Sequence, residues 1–283
     1  MSDRRLLAVF AHPDDETFGA GGTLALYARR GVRVEVVCAT RGEAGEAPSD
    51  LKGYPDVGAM RESELRCAAR VLGLADVHFL GYRDSGMPGS PDNRHPRAWA
   101  GAPPMEAARA VAGHIRRLRP QVVITFDPIG GYRHPDHIAA HRAAVEAFRL
   151  AADGKRFPGD GEPHAARKLY FHTFPRGFLR WAARILPWLG QDPRRFGKNG
   201  DIDLTALAGV DYPVHAKIDI RPVLDIKQKA SACHSSQGGG RMGLFQRWLE
   251  MLVGGSETYM RAFPLPPPQR VERDLFSGVE AWD

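Results

Sequence analysis

The apolar run Leu6-Leu7-Ala8-Val9-Phe10 passes directly into Ala11-His12-Pro13-Asp14-Asp15-Glu16. That junction constrains the chain more than any other stretch. A short apolar run, a turn and then Gly19-Ala20-Gly21-Gly22 have the pattern of a buried strand, a loop and the start of a helix. In open α/β sheets, ligands bind at the loops that follow the carboxyl ends of strands. Here one imidazole and three carboxylates fall within five residues. Carboxylates so close repel one another unless a cation or a shared proton relieves them, and a metal ion is the simplest relief.

The same alternation continues along the chain. Apolar runs at 32–39, 77–82, 122–126 and 168–173 predict four further strands. Helical spacing predicts helices near 22–28, 61–72, 105–119 and 136–151, several of them closed by Gly or Pro. Strands alternating with helices specify an α/β fold, here Rossmann-like, with three α/β/α layers around a mainly parallel central sheet. Another strand is expected at 214–220, with a helix from Pro222 towards His234. The 283 residues suit one domain, with 1–174 as the Rossmann-like core and 175–283 as a smaller portion capping the active-site edge. Pro- and Gly-rich loops are expected at 47–60 and 88–104, and a polar insertion at 152–166.

A partner for the first loop follows the run at 122–126, and reads Asp127-Pro128-Ile129-Gly130-Gly131-Tyr132-Arg133-His134-Pro135-Asp136-His137. Two strand ends, each delivering His and Asp, would meet at one edge of a parallel sheet. His12-Pro13-Asp14-Asp15-Glu16 and His134-Pro135-Asp136-His137 together resemble the LmbE-like family of zinc deacetylases. That family includes the PIG-L enzymes and the deacetylases and amidases of low-molecular-weight thiol metabolism. The resemblance extends to Gly81-Tyr82-Arg83-Asp84-Ser85-Gly86 and to Lys229-Ala230 with His234-Ser235-Ser236-Gln237. It is weakest at 47–60, 88–104 and 152–210, where substrate choice is expected to be made.

The resemblance implies His12, Asp15 and His137 as ligands of Zn2+, or of another divalent ion such as Fe2+. The residues read alone agree, since two histidines and a carboxylate leave a tetrahedral ion one open position. Asp14 is then implied as the base that takes a proton from the attacking water. His134 is expected to act as an imidazolium that stabilises the oxyanion and protonates the leaving amine, with Asp136 orienting it by a hydrogen bond. Tyr132 is implied as a phenol reaching the same oxyanion. Arg61 and Asp84 are implied as contacts to sugar hydroxyls, and Glu43, in the loop after the second strand, as a residue lining the pocket. His141, four residues after His137, is read as a packing residue.

The implied reaction is hydrolysis of an N-acetyl group on a glucosamine-type conjugate, releasing acetate and a free amine. An amidase acting on a larger acyl group of a thiol conjugate is the alternative, and a non-catalytic metal- or sugar-binding protein is the competing class. A dinucleotide site is disfavoured, because Gly19-x-Gly21-Gly22 lacks the third spaced glycine and follows acidic residues that would repel a pyrophosphate.

Composition narrows the rest. The formal net charge of +6 is carried mostly by arginine and is compatible with an anionic substrate, but no nucleic-acid-binding signature accompanies it. No apolar stretch approaches the ~20 residues of a membrane span, and the N-terminus is read as running straight into the first strand without a signal peptide. Three scattered cysteines, Cys38, Cys67 and Cys233, predict unpaired thiols and a cytoplasmic, reducing setting. Arg176, Arg180 and Arg184 with Phe178, Trp181, Ile185 and Trp188 predict a basic amphipathic helix. Peripheral membrane contact through 176–189 is possible, but a lid or a subunit contact in a homo-oligomer is preferred.

Overall fold

Two strands, β1 (Arg5–Phe10) and β4 (Val122–Phe126), are buried almost residue for residue, as strands covered on both faces must be. This computed structural model describes residues 4–46, 50–51, 53–173, 176–195, 203–240, 255–265, 267 and 271–279. Around the two central strands lie β2 (Arg33–Thr40), β3 (Asp76–Tyr82), β5 (Lys168–Thr173), β6 (Ala216–Asp219) and β7 (Ser256–Phe263). The sheet order is β3-β2-β1-β4-β5-β7-β6, parallel from β3 to β5 and antiparallel at β7 and β6. Successive strands are added outward in one direction from β1 to β3 and in the other from β4, so the strand order switches between β1 and β4. That is the switch point at which α/β sheets open a crevice at their carboxyl edge.

The helices are α1 (Asp15–Phe18), α2 (Gly21–Arg29), α3 (Val57–Leu72), α4 (Pro104–Leu118), α5 (Gly130–Arg133), α6 (Pro135–Leu150), α7 (Arg176–Ile185), α8 (Leu204–Ala208) and α9 (Leu224–Cys233). Helices α2, α3 and α9 pack on one another, and α4 packs on α6. Helix α3 starts four residues before the expected Arg61, because the Asp56 side chain accepts from the Ala59 amide at 2.7 Å and caps it. The segment expected as a loop at 88–104 is held by two short 3-10 turns and by Trp99, whose Nε1 donates to the Asp136 carbonyl.

The C-terminal portion does more than cap. Strand β7, unexpected from the sequence, inserts between β5 and β6 and so continues the sheet. It also delivers Glu257, a buried carboxylate that accepts from the Gly22 and Thr23 amides at 2.9 and 2.8 Å and pairs with Lys227 at 2.8 Å. The N-terminus of α2, where a dinucleotide would place its phosphates, is thus filled by the chain's own anion. A Cβ on Gly22 would meet the Ile220 side chain at 2.6 Å, so this glycine serves close packing.

The expectation of three unpaired thiols needs correction. Cys67 and Cys233 are joined as a disulfide, 166 residues apart in sequence, whereas Cys38 stays a buried free thiol. The pairing follows from α3 lying against α9, a proximity that cysteine spacing does not encode. The basic helix at α7 forms as expected, with Arg180, Trp181, Arg184 and Trp188 exposed and Arg180 close to Asp211 at 3.6 Å. The side chains of Arg176 and Phe178 lie outside the described ones. Among the described residues, no helix is long and apolar enough to cross a membrane.

Burial alone would raise the Glu257 pKa, but Lys227 and the hydrogen bonds to the start of α2 hold it below the ordinary glutamate value of 4.5. A carboxylate with a depressed folded pKa stabilises above the unfolded pKa and loses that contribution as pH falls. Glu257→Gln should therefore cost roughly 1.5–3 kcal/mol in urea unfolding at neutral pH. The deficit should shrink on acidification, and an unchanged midpoint at neutral pH would contradict this role.

Candidate active site

The loop after β1 and the loop after β4 face each other across the switch point. His12 follows β1 directly, and Asp15 opens the single turn of α1. His137 sits in the first turn of α6, whose start is fixed by Pro135 and by the His134 side chain, which accepts from the Asp136 amide at 3.2 Å. Glycines allow the second loop its sharp path, with Gly130 and Gly131 at φ 64° and 68°. A Cβ on Gly130 would meet the His137 Cβ at 2.7 Å.

Three residues bring donors together between the loops, Asp15 offering one carboxylate oxygen to each histidine. His12 Nδ1 is 3.2 Å from His137 Nε2, His137 Nε2 is 3.2 Å from Asp15 Oδ1, and His12 Nδ1 is 3.6 Å from Asp15 Oδ2. Ligand bonds of roughly 2.0–2.1 Å to a tetrahedral ion would separate donors by about 3.3 Å, so the trio matches one face of such a site. The opposite ring nitrogens are held as metal ligands require. His12 Nε2 faces Asp136 at 3.1 Å and Asp84 at 3.4 Å, and His137 Nδ1 meets the Gly130 carbonyl at 3.2 Å.

Two other groups of donors lie near enough to compete. His134 joins His12 and His137 within 4.8 Å, and His12 forms a second group with Asp84 and Asp136. His134 Nδ1 is committed to the Asp136 amide, which leaves the ring proton on Nε2. Asp136 is fully buried, with its oxygens accepting from the Ser85 amide at 2.9 Å and the Ala100 amide at 3.1 Å. Asp15 is not committed in this way, and its side chain keeps 10% exposure.

Asp14 is built differently from its neighbours. Its backbone sits at φ 126°, a strained value for a residue other than glycine. Two contacts hold it there. Its amide donates to Glu16 Oε2 at 2.9 Å, and Arg61 donates to its carboxylate at 3.0 Å and to the Pro13 carbonyl at 2.8 Å. The carboxylate is thereby held against Arg61. Burial raises its pKa most; Arg61 opposes and Asp15 adds, leaving it at about 6.

The other titrating groups follow the local charge. Burial disfavours a charged His12, but Asp84, Asp136 and Asp15 outweigh it and raise the pKa well above the ordinary value. Asp15 and Asp84 are each pushed up by burial, yet neighbouring imidazoles hold both below the usual carboxylate range. Burial, then His12 and His137, push His134 down to about 2. Burial also raises the Tyr132 pKa, and its ring packs edge-on to those of His134 and His137.

All ten residues singled out in the sequence therefore gather at this edge, but some in other roles. Asp136, expected to orient His134 through its carboxylate, gives that carboxylate to His12 and only its amide to His134. His134, expected as an imidazolium, is neutral by its surroundings. Arg61 is 4% exposed, its terminal nitrogens on the Gly42 and Pro13 carbonyls and on Asp14, so it braces the loop from beneath. Asp84 is buried against His12 and the Gly86 amide, and Glu43 accepts from the Asp84 amide at 3.1 Å. His141 bonds the Phe126 carbonyl at 2.9 Å and packs edge-on to Phe171, as a packing residue does. Glu16 and His234, quoted in the sequence only as part of motifs and given no role, meet through their side chains at 2.8 Å.

A family model described as GlcNAc-PI de-N-acetylase, PIG-L, matches residues 7–148, a span that holds both loops. The chain belongs to this family. A Thermomonospora curvata protein named 1D-myo-inositol 2-acetamido-2-deoxy-alpha-D-glucopyranoside deacetylase is 42% identical over 246 residues, covering 83% of this chain and 81% of that one. A Rhodococcus erythropolis protein of the same name is 38% identical over 305 residues, covering 99% of each. Among solved structures, the conserved protein TT1542 from Thermus thermophilus superposes with a TM-score of 0.61 at 28% identity, covering 94% of this chain and 97% of that one. The fold expected from the sequence is thus the fold of a family that includes deacetylases.

An acid whose folded pKa is raised destabilises the protein wherever it is ionised. For Asp14, at about 6 against an ordinary 3.8, the penalty is absent below 3.8, grows between the two values and is complete above 6. At about 1.4 kcal/mol per pKa unit the full penalty is about 3 kcal/mol. Asp14→Asn should stabilise metal-free protein by up to that amount near pH 8 and hardly at all near pH 3.5. Urea unfolding at the two pH values checks this, and a variant less stable than wild type near pH 8 would contradict it.

Proposed function

We propose that this chain is a divalent-metal-dependent N-deacetylase of a glucosamine-type conjugate, with 1D-myo-inositol 2-acetamido-2-deoxy-α-D-glucopyranoside as its leading substrate. His12, Asp15 and His137 would hold the ion, zinc by donor set. The observation that carries the reading is the division of labour in one loop. Asp15 faces the two histidines at 3.2 and 3.6 Å, while the carboxylate of Asp14, one residue earlier, is held by Arg61 with its pKa raised to about 6. A binding protein has no need of that second carboxylate. The relatives' names supply the amide and the sugar.

A divalent ion in this position supplies Lewis acidity, polarising an amide carbonyl and acidifying water. The chain's own residues do the rest. Asp14 takes a proton from water as its oxygen bonds the acetyl carbon. Neutral His134 donates its Nε2–H to the carbonyl oxygen as negative charge develops there, and Tyr132 lies beside it. The C–N bond then breaks, and the proton held by Asp14 passes to the departing nitrogen, leaving acetate and a free amine. A single carboxylate cycling near neutrality serves as both base and acid. Sugar contacts remain part of the proposal at the Asp84–Glu43 corner of the crevice, with Arg61, expected among them, acting from behind through Asp14.

Acetate release from N-acetylglucosamine, chitobiose, N-acetylglucosaminyl malate, N-acetylglucosaminyl inositol and one thiol-conjugate amide tests the reading. Zinc-dependent release from the inositol glycoside is expected, and preference for the thiol-conjugate amide would favour the larger-acyl reaction. Asp14→Asn should bind zinc as wild type does and lose roughly 100-fold or more in kcat. His12→Ala should lose bound zinc. Near-normal turnover in the first variant would remove Asp14 as the base, and full occupancy in the second would refute the ligand set.

A further inference from the structure

We propose that His234, from the C-terminal portion of the chain, is a positioning residue for Asp14, acting through Glu16. The inference rests on the reading of Asp14 as the base, and extends it to a residue that touches no reacting atom. Glu16 is 1% exposed and His234 is fully buried. One Glu16 oxygen accepts from His234 Nε2 at 2.8 Å and from the Thr17 hydroxyl at 2.5 Å. The other accepts from the amide of Asp14 at 2.9 Å. This carboxylate therefore links His234 to Asp14, a residue held in a strained backbone conformation at the far end of the chain.

A strained φ persists only where its surroundings over-determine it. Arg61 pins Asp14 by its carboxylate and by the preceding carbonyl, and Glu16 pins it by the amide. Glu16 can hold that amide only while its own rotamer is fixed. Thr17, a neighbour in the same short turn, moves with it and supplies no external reference. His234 supplies one, because its own position is anchored several times over. Cys233 is bonded to Cys67 of α3, the Ser236 amide and hydroxyl meet Glu64 of α3 at 2.9 and 2.6 Å, and Gln237 donates to the Glu46 carbonyl at 3.2 Å. Helix α3 also carries Arg61. Both restraints on Asp14 thus descend from the same packed pair, α3 and α9, one directly and the other through His234 and Glu16.

The bland alternative makes His234–Glu16 a buried pair that only stabilises the fold. Two substitutions separate the readings. His234→Phe keeps the ring and removes the donor, while His234→Gln places an amide nitrogen at nearly the reach of Nε2. With full-length protein, His234→Phe should lose roughly 10- to 100-fold in kcat at a KM within about threefold of wild type, as expected for misplacing a reacting group. Zinc content should stay at the wild-type level. His234→Gln should recover kcat to within about threefold of wild type. Wild-type kcat in His234→Phe, or equal loss in both variants with zinc retained, overturns the proposal. If His234→Phe does not fold, His234→Gln decides alone: kcat within about threefold supports positioning, and a loss beyond about tenfold with zinc bound overturns it. A readout independent of the reaction is the crystal structure of a folded variant lacking the donor. Asp14 leaving its positive φ and its contact with Glu16 supports the proposal, and Asp14 unmoved overturns it. Should wild type release no acetate from any substrate, the deacetylase reading fails while that structure still decides the positioning.

Discussion

Buried negative charge at the carboxyl edge of β1 and β4 is the constraint to which the rest of this structure answers. Asp14, Asp15, Glu16, Asp84 and Asp136 all lie within reach of one another's neighbours, each against an imidazole or a guanidinium. Carboxylates removed from water demand compensation, and each finds a different one. Asp136 takes backbone amides and His12. Asp84 takes His12 and an amide, Glu16 takes His234, and Asp14 takes Arg61. Asp15 faces nitrogens of two imidazoles, His12 and His137.

Roles in the site follow from how completely each group is compensated. A carboxylate saturated by hydrogen bonds, such as Asp136, holds its partner still. Asp14, raised by burial, opposed by one guanidinium and crowded by Asp15, has its pKa pushed up to about 6, which suits the proton carrier proposed for it. His134 is deprived of charge by burial and by the two histidines beside it, and its amide contact fixes the tautomer that can donate. Asp14 and Asp15, adjacent in sequence, thus sit in different surroundings, Asp14 against Arg61 and Asp15 against His12 and His137.

Much of this was legible from the chain. The central strands, the two loops and the convergence of His12, Asp15 and His137 follow from local patterns, because a buried parallel strand and its following turn are written in consecutive residues. The direction of Asp136 was not legible, since either of two histidines lies within its reach and only the fold selects His12. Arg61 was expected to open a helix and reach sugar hydroxyls, yet α3 begins earlier and carries it beneath the first loop. Strand β7, Ser-Glu-Thr-Tyr-Met-Arg-Ala-Phe, mixes polar and apolar residues because it is part of an antiparallel extension, and its run lacks the continuous apolar character of β1 or β4. The Cys67–Cys233 bond and the Glu16–His234 contact both depend on α3 meeting α9, and no spacing along the sequence expresses that meeting.

The central claim is that His12, Asp15 and His137 form the metal-binding face while Asp14 stands outside it. Its most direct test is a crystal structure of the zinc-loaded protein, with anomalous scattering recorded at the zinc edge. The account predicts one peak bonded to His12 Nδ1, His137 Nε2 and an Asp15 oxygen, with Asp14 still turned towards Arg61. A peak bonded to His134, or one lying between Asp84 and Asp136, would contradict it.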